Sequence, residues 1–222
     1  MNELPGPVEW RRSARARYVS LRIDARIGAV VVTLPPRARR QTGLALLAEH
    51  AAWVRESLAA LTPAVRFVPG AKLPIGGVDY AITLVPGAAG VLVENGTLRV
   101  SGLLADLRDQ IAAFLRAEAF RRIGAVVARH AAALIVTPRR VRLKELRSRW
   151  GSCAHDGTLS FSWRLVMAPD WVLDYVVAHE VAHLRELNHS ERFWAHVTAL
   201  TPHRKAAIAW LKAHGPALLR AG

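Results

Sequence analysis

Between Val176 and Trp194 the chain reads VVAHEVAHLRELNHSERFW, and three histidines and one glutamate in that stretch restrict the fold more than any other feature. His179 and His183 are four residues apart, so on a helix of about 3.6 residues per turn their imidazoles leave one face a turn apart and can grip a single cation. Glu180 adjoins the first of them, where its carboxylate can reach a water on that cation without ligating it. The spacing therefore predicts a helix that carries His179 and His183 as metal ligands and Glu180 as general base.

His189 lies six residues beyond His183 and, at roughly 100° per residue, would point about 120° away if the helix ran on. The helix must stop first. Asn188 is the expected stop, because asparagine tolerates the left-handed conformation that ends helices. A reversed chain then brings His189 in as the third nitrogen ligand and leaves a fourth tetrahedral position for water, the pattern of a catalytic Zn2+ site. Glu191 is the alternative third ligand. The spacing is similar to that of the metzincins, but Glu186 stands where they carry glycine, so this bend must be made differently. A purely structural role would leave two imidazoles needing polar partners on a face shared with Val172, Val176 and Leu187. With nine histidines in the chain, an H-E-x-x-H arises by chance about 0.03 times, which makes accident a poor explanation.

The 222 residues suit one domain, or one with a small appendage, and are ample for a core. Cys153 is the lone cysteine, so no internal disulfide can form, and no basic-then-apolar signal follows Met1. The expected location is cytoplasmic. No apolar run approaches the roughly 20 residues of a spanning helix, so no membrane partner is expected. Lys and Arg exceed Asp and Glu by 31 to 17, a net charge of +14, which attracts nucleic acid, nucleotides and acidic peptides but speaks to steering more than to a specific site.

The expected class is α+β. Val8 to Arg12, Tyr18 to Ile23 and Ala29 to Leu34 read as extended, the last two as a hairpin, and a helix follows from Thr42 to about Leu61. Lys72 to Ile75, Val78 to Val85, Gly90 to Val93 and Thr97 to Val100 read as short strands, with turns at Gly76-Gly77 and Asn95-Gly96. Together these predict a small antiparallel β region with a crossing helix over residues 1–100. Residues 101–222 then form a helical domain. Its long helix is capped by Ser101 and runs to about Leu134, with Gly124 as a candidate kink. A short sheet from Val141 to Leu146 and Thr158 to Leu165 precedes the metal helix, which begins at Pro169, and two helices close the chain.

Arg147 to Cys153 (RSRWGSC), Gly157 to Pro169 (GTLSFSWRLVMAP) and Tyr175 to Trp194 resemble the YgjP-like metallopeptidase family, zincin-type hydrolases related to SprT-like proteases. The resemblance covers most of the chain and is specific after about residue 141. It implies a zincin-like domain, Zn2+ as cofactor, His179, His183 and His189 as ligands, and Glu180 as base. It also implies a peptide or protein substrate. Some relatives are described as UTP pyrophosphatases, so a nucleotide substrate is the alternative.

Three roles compete for Arg149 to Cys153. Gly151 can bend the loop while Trp150 packs on the metal helix; Arg149 or a backbone N–H can stabilise developing negative charge; or Cys153 can act as nucleophile or ligand, although no activating neighbour is evident. The leading expectation is metal-assisted hydrolysis. A non-catalytic zinc-stabilised binding module is the rival from another class, opposed by the count of three nitrogens where closed structural sites have four ligands. The oligomeric state is not readable from these features.

Overall fold

A computed structural model describes residues 4–146 and 149–222. The chain forms two compact units that divide between Pro63 and Ala64, ahead of the boundary expected near residue 100.

In the first unit, strands β1 (Val8–Arg12), β2 (Ser20–Asp24) and β3 (Ala29–Leu34) form a sheet in the order β1-β3-β2. β2 and β3 make the expected hairpin, with Leu21 opposite Val32 and Ile23 opposite Val30. β1 lies parallel to β3, with Trp10 opposite Val32. Alternation turns Val30, Val32 and Leu34 to one face, where Leu47 and Val54 cover them. Those two residues belong to α1 (Arg40–Glu49) and α2 (Ala51–Ala59). A single helix was expected here, but the backbone of His50 leaves helical geometry at φ −102°, ψ 19° and splits it.

The β2–β3 turn is held by Asp24, whose buried carboxylate accepts from the backbone and guanidinium of Arg26 and from Arg22. The Arg26 side-chain bonds, working against burial, lower its pKa from 3.8 to about 2. Because the folded value lies below the unfolded one, this stabilisation is complete above about pH 4 and is lost as pH falls through about 2. Asp24→Asn is expected to cost about 1 kcal/mol at neutral pH, a figure discounted because both arginines are solvent-screened. Chemical denaturation from pH 4 to pH 2 should show a flatter stability profile in the variant than in the parent chain.

The second unit begins with β4 (Lys72–Ile75), β5 (Val78–Val85), β6 (Gly90–Glu94) and β7 (Thr97–Ser101), in the order β4-β5-β7-β6. The Asn95-Gly96 turn has positive φ at both residues, 48° and 73°, as a two-residue hairpin requires. Both of these early sheets depart from the antiparallel expectation in the same way, since β5 and β7 pair in parallel just as β1 and β3 do. Two chain reversals restore the original direction, and the third strand then sits between the first two. Ser101 belongs to β7 and caps nothing. A 3-10 turn at Leu104–Asp106 leads instead into α3 (Leu107–Leu134), which is continuous through Gly124.

One stripe of α3 is buried at every fourth residue from Leu107 through Ile111, Leu115, Ala119 and Ile123 to Val127, the period of one helical face. It packs in the main core with Phe161, Val166, Val172, Val176 and Phe193. β8 (Arg140–Lys144), β9 (Gly151–Cys153) and β10 (Thr158–Ser162) form a third sheet, β8-β10-β9. β10 is central and buried at all five positions, whereas β9 is an edge. After a 3-10 turn at Trp163–Met167 come α4 (Asp170–Ala182), α5 (Glu191–Leu200) and α6 (Arg204–Leu219). His130 of α3, itself buried, meets Asp174 of α4 at 2.8 Å and fixes one helix to the other. Among the described residues, no helix is long and apolar enough to cross a membrane.

Candidate metal centre

Nine of the thirteen residues of α4 are buried, so surrounding core rather than one amphipathic face sets the helix's position. His179 and His183 emerge from its last turn with ring centroids 5.0 Å apart. The helix ends at His183, not at the expected Asn188. The chain turns through Leu184, Arg185 and Glu186, whose amides bond back to Val181 and Ala182. Ending early frees the carbonyl of Glu186 to meet His183 Nδ1 at 3.1 Å, which makes that nitrogen the donor and leaves Nε2 with a lone pair. Asn188 has no left-handed backbone. Its side-chain oxygen accepts from the Ser190 amide at 2.9 Å, and Ser190 in turn caps α5 through the Phe193 amide.

This turn carries His189 back over the helix end. Its ring lies 5.1 Å from that of His179 and 4.9 Å from that of His183, so the three imidazoles form a nearly equilateral group. One ligand atom from each lies within 4.8 Å of the others. His179 Nε2 and His189 Nε2 are 3.2 Å apart. Nitrogens sharing one tetrahedral ion at about 2.1 Å sit roughly 3.4 Å from each other. The residues therefore fit a divalent cation, and an all-imidazole donor set suits zinc and its borderline neighbours. Glu191 is outside this group.

Electrostatics agree with the geometry. Burial, followed by the neighbouring His183, His189 and Arg204 charges, lowers His179 to about 4. Burial is also the first cause of a lowered value at His183. Both rings are thus neutral, as ligands must be, at neutral pH. Phe193, fully buried, underlies all three rings at 4.9, 4.4 and 4.7 Å. Trp194 stacks on His189 at 5.6 Å, and the Arg204 guanidinium covers that indole at 3.4 Å. Nothing in the residue pattern announces this aromatic floor beyond the position of Trp194 a few residues past His189 on the next helix.

Glu180 is buried beside the triad, and burial raises it to about 7 against the opposing pull of Arg149 and the Cys153 amide. Gly151 of β9 makes room for it: a Cβ there would fall 2.6 Å from Glu180 Cγ and 2.7 Å from Oε1. Gly151→Ala must therefore push the carboxylate aside, since the three atoms nearest the added Cβ all belong to Glu180 and none to an imidazole. The expected result is a loss of hydrolysis on the order of 10²-fold, the usual penalty for a misplaced catalytic group, with zinc affinity by calorimetry within about threefold of the parent.

A cleft of about 320 Å³ opens over the group, lined also by Arg149, Gly151, Ser152, Cys153, His155 and Leu187. Burial first, then Glu180 and Asp156, raises Cys153 to about 11, so it keeps its proton at neutral pH and is a poor nucleophile or thiolate ligand. Trp150 lies against Gly215 of α6. Arg147 and Ser148 of the matched RSRWGSC stretch lie outside the described residues.

An α+β chain that gathers three imidazoles and a buried glutamate at one cleft is built as a metal-dependent hydrolase, and its family agrees. The chain belongs to the YgjP-like family, whose metallopeptidase domain matches residues 17–214. No curated protein matches it. Among solved structures it is similar to the metallopeptidase zymogen of Pyrococcus abyssi abylysin, at 20% identity over 42% of this chain and 92% of that one, with a TM-score of 0.37.

Proposed function

We propose that the chain is a zinc-dependent, cytoplasmic peptidase in which His179, His183 and His189 hold the ion and Glu180 is the general base. The observation that carries this reading is the convergence of three imidazoles beside one buried carboxylate at an open cleft. When bound, zinc supplies Lewis acidity, which lowers the pKa of a coordinated water and polarises a carbonyl. Glu180 takes the proton of the attacking water on its carboxylate and returns it to the leaving nitrogen. Its burial raises a proton affinity that a nearby cation would otherwise depress, which suits a group that must both accept and give at neutral pH. Arg149, on the cleft wall, stands where its guanidinium can offset developing negative charge.

A peptide suits this cleft because β9 is an edge strand. Trp150 and Ala154 bond to β10, so by antiparallel alternation the backbone groups of Gly151 and Cys153 point away from it; the Cys153 amide is engaged by Glu180, which leaves the two Gly151 groups and the Cys153 carbonyl for a substrate. An extended peptide can add to such an edge through main-chain bonds. Arg149 would also favour an anionic substrate, which keeps nucleoside triphosphates as the second reading. The zinc-loaded chain incubated separately with unfolded casein and with UTP is expected to give casein fragments, abolished by a chelator, and no pyrophosphate. Pyrophosphate release without fragments would replace the peptidase reading with the phosphoanhydride one.

A further inference from the structure

The first unit places its arginines in one region. The β1–β3 register sets Arg12 opposite Leu34, and the β2–β3 register sets Ser20 opposite Thr33. The β1–β2 connection and the segment after β3 therefore emerge at the same end of the sheet. Arg15 and Arg17 lie in the first of these segments, Arg37 and Arg39 in the second; all four are exposed, and among the described residues their guanidinium groups have no ion-pair or hydrogen-bond partner, the Arg15 backbone N–H alone donating to the Ser13 hydroxyl. Arg12 ties the two segments together, its guanidinium donating to the carbonyls of Pro35, Pro36 and Ala38. Arg40 lies over the Trp10 ring at 4.6 Å and opens α1, whose first turn holds no acidic residue and whose N-terminus has no side-chain cap. The described acidic residue nearest in β1, Glu9, is paired with Arg11.

We propose that this end of the sheet binds the phosphodiester backbone of a nucleic acid strand. Residues 4–63 carry ten arginines and no lysine. The planar guanidinium fork pairs with phosphate oxygens two at a time, which an ammonium cannot do. Tyr18 follows Arg17 and is 82% exposed, a ring on which a base can stack. An anionic membrane is the competing polyanion, but surface helices that bind lipid need an exposed apolar face. The exposed positions of α1 are Arg40, Gln41, Thr42, Ala45, Ala48 and Glu49, with no large apolar side chain among them. The proposal is independent of the hydrolase reading and concerns different residues.

The test uses the full chain and a fluorescein-labelled, mixed-sequence single-stranded 20-mer, with anisotropy measured over a range of salt. A variant combining R15Q, R17Q, R37Q and R39Q should bind on the order of 100-fold more weakly at 0.1 M salt. Its slope of log affinity against log salt should be shallower by about 3, since each phosphate contact on a single strand contributes about 0.7. A matched variant combining K72Q, R140Q, R142Q and K212Q removes the same charge from the other unit and should lose less than about fivefold. Equal losses in the two variants would reduce the effect to diffuse charge and overturn the proposal, as would absence of oligonucleotide binding by the parent chain. Binding to phosphatidylserine vesicles without binding to the oligonucleotide overturns it in favour of a membrane. If the quadruple variant fails to fold by circular dichroism, the R15Q/R17Q and R37Q/R39Q pairs should each give about half the change in slope.

Discussion

Glu180→Gln is expected to retain one zinc per chain and to lower turnover by about 10²- to 10⁴-fold, the range that general acid–base catalysis contributes. The substitution is nearly isosteric, which matters because Gly151 leaves no spare volume against the Glu180 side chain. An amide in that slot neither accepts a proton from water nor returns one to a leaving group. Metal content by atomic emission and initial rates on casein separate the two effects. A variant that turns over at the parental rate would show that some other group is the base. Loss of metal along with activity would mean that Glu180 holds the centre together and does not act on substrate.

The second large effect is expected from His183→Ala, which should weaken zinc binding by at least about 10³-fold and leave the purified chain nearly metal-free. Removing one of three protein nitrogens deprives the ion of a ligand that water replaces poorly. It also abolishes the bond to the Glu186 carbonyl, which holds one ring in its ligand-ready tautomer. His155→Ala is the matched comparison, since His155 lines the same cleft but lies outside the three-imidazole group. Its zinc content should equal that of the parent chain. Retention of the full complement by His183→Ala, or equal losses in the two variants, would remove the triad as the ion's site.

Much of the centre was legible because its grammar is local. The four-residue interval between His179 and His183 is a helical repeat, and the six-residue interval to His189 demands a break, whatever makes it. The agent of the break was not legible. Asparagine's tolerance of left-handed geometry pointed to Asn188, but the helix ends at His183, and Asn188 serves with its side chain in the following loop. A propensity states what a residue can do; which option is used depends on hydrogen-bond partners brought by tertiary contacts, here the Glu186 carbonyl and the Ser190 amide.

The same division runs through the fold. The β-branched run in Ala29 to Leu34 and the Asn95-Gly96 signal located strands and a turn, because side-chain shape and backbone conformation are properties of the segment. Which strand lies beside which is not. The parallel pairings of β1 with β3 and of β5 with β7 come from chain path, and no periodicity within a strand encodes them. Ser101 looked like a helix cap because its residue type favours that position, yet the ladder with Val85 claims it for β7. Gly151 carried no signal of its purpose, since the approach of Glu180 exists only after α4 packs beside β9.

Arg204, Trp194 and His189 are layered one on another. An indole's emission responds to the charge resting against its faces, and turning His189 from a metal-free into a metal-bound ring alters that charge. Although six other tryptophans contribute background, the unlabelled chain contains its own optical gauge of whether the ion has arrived.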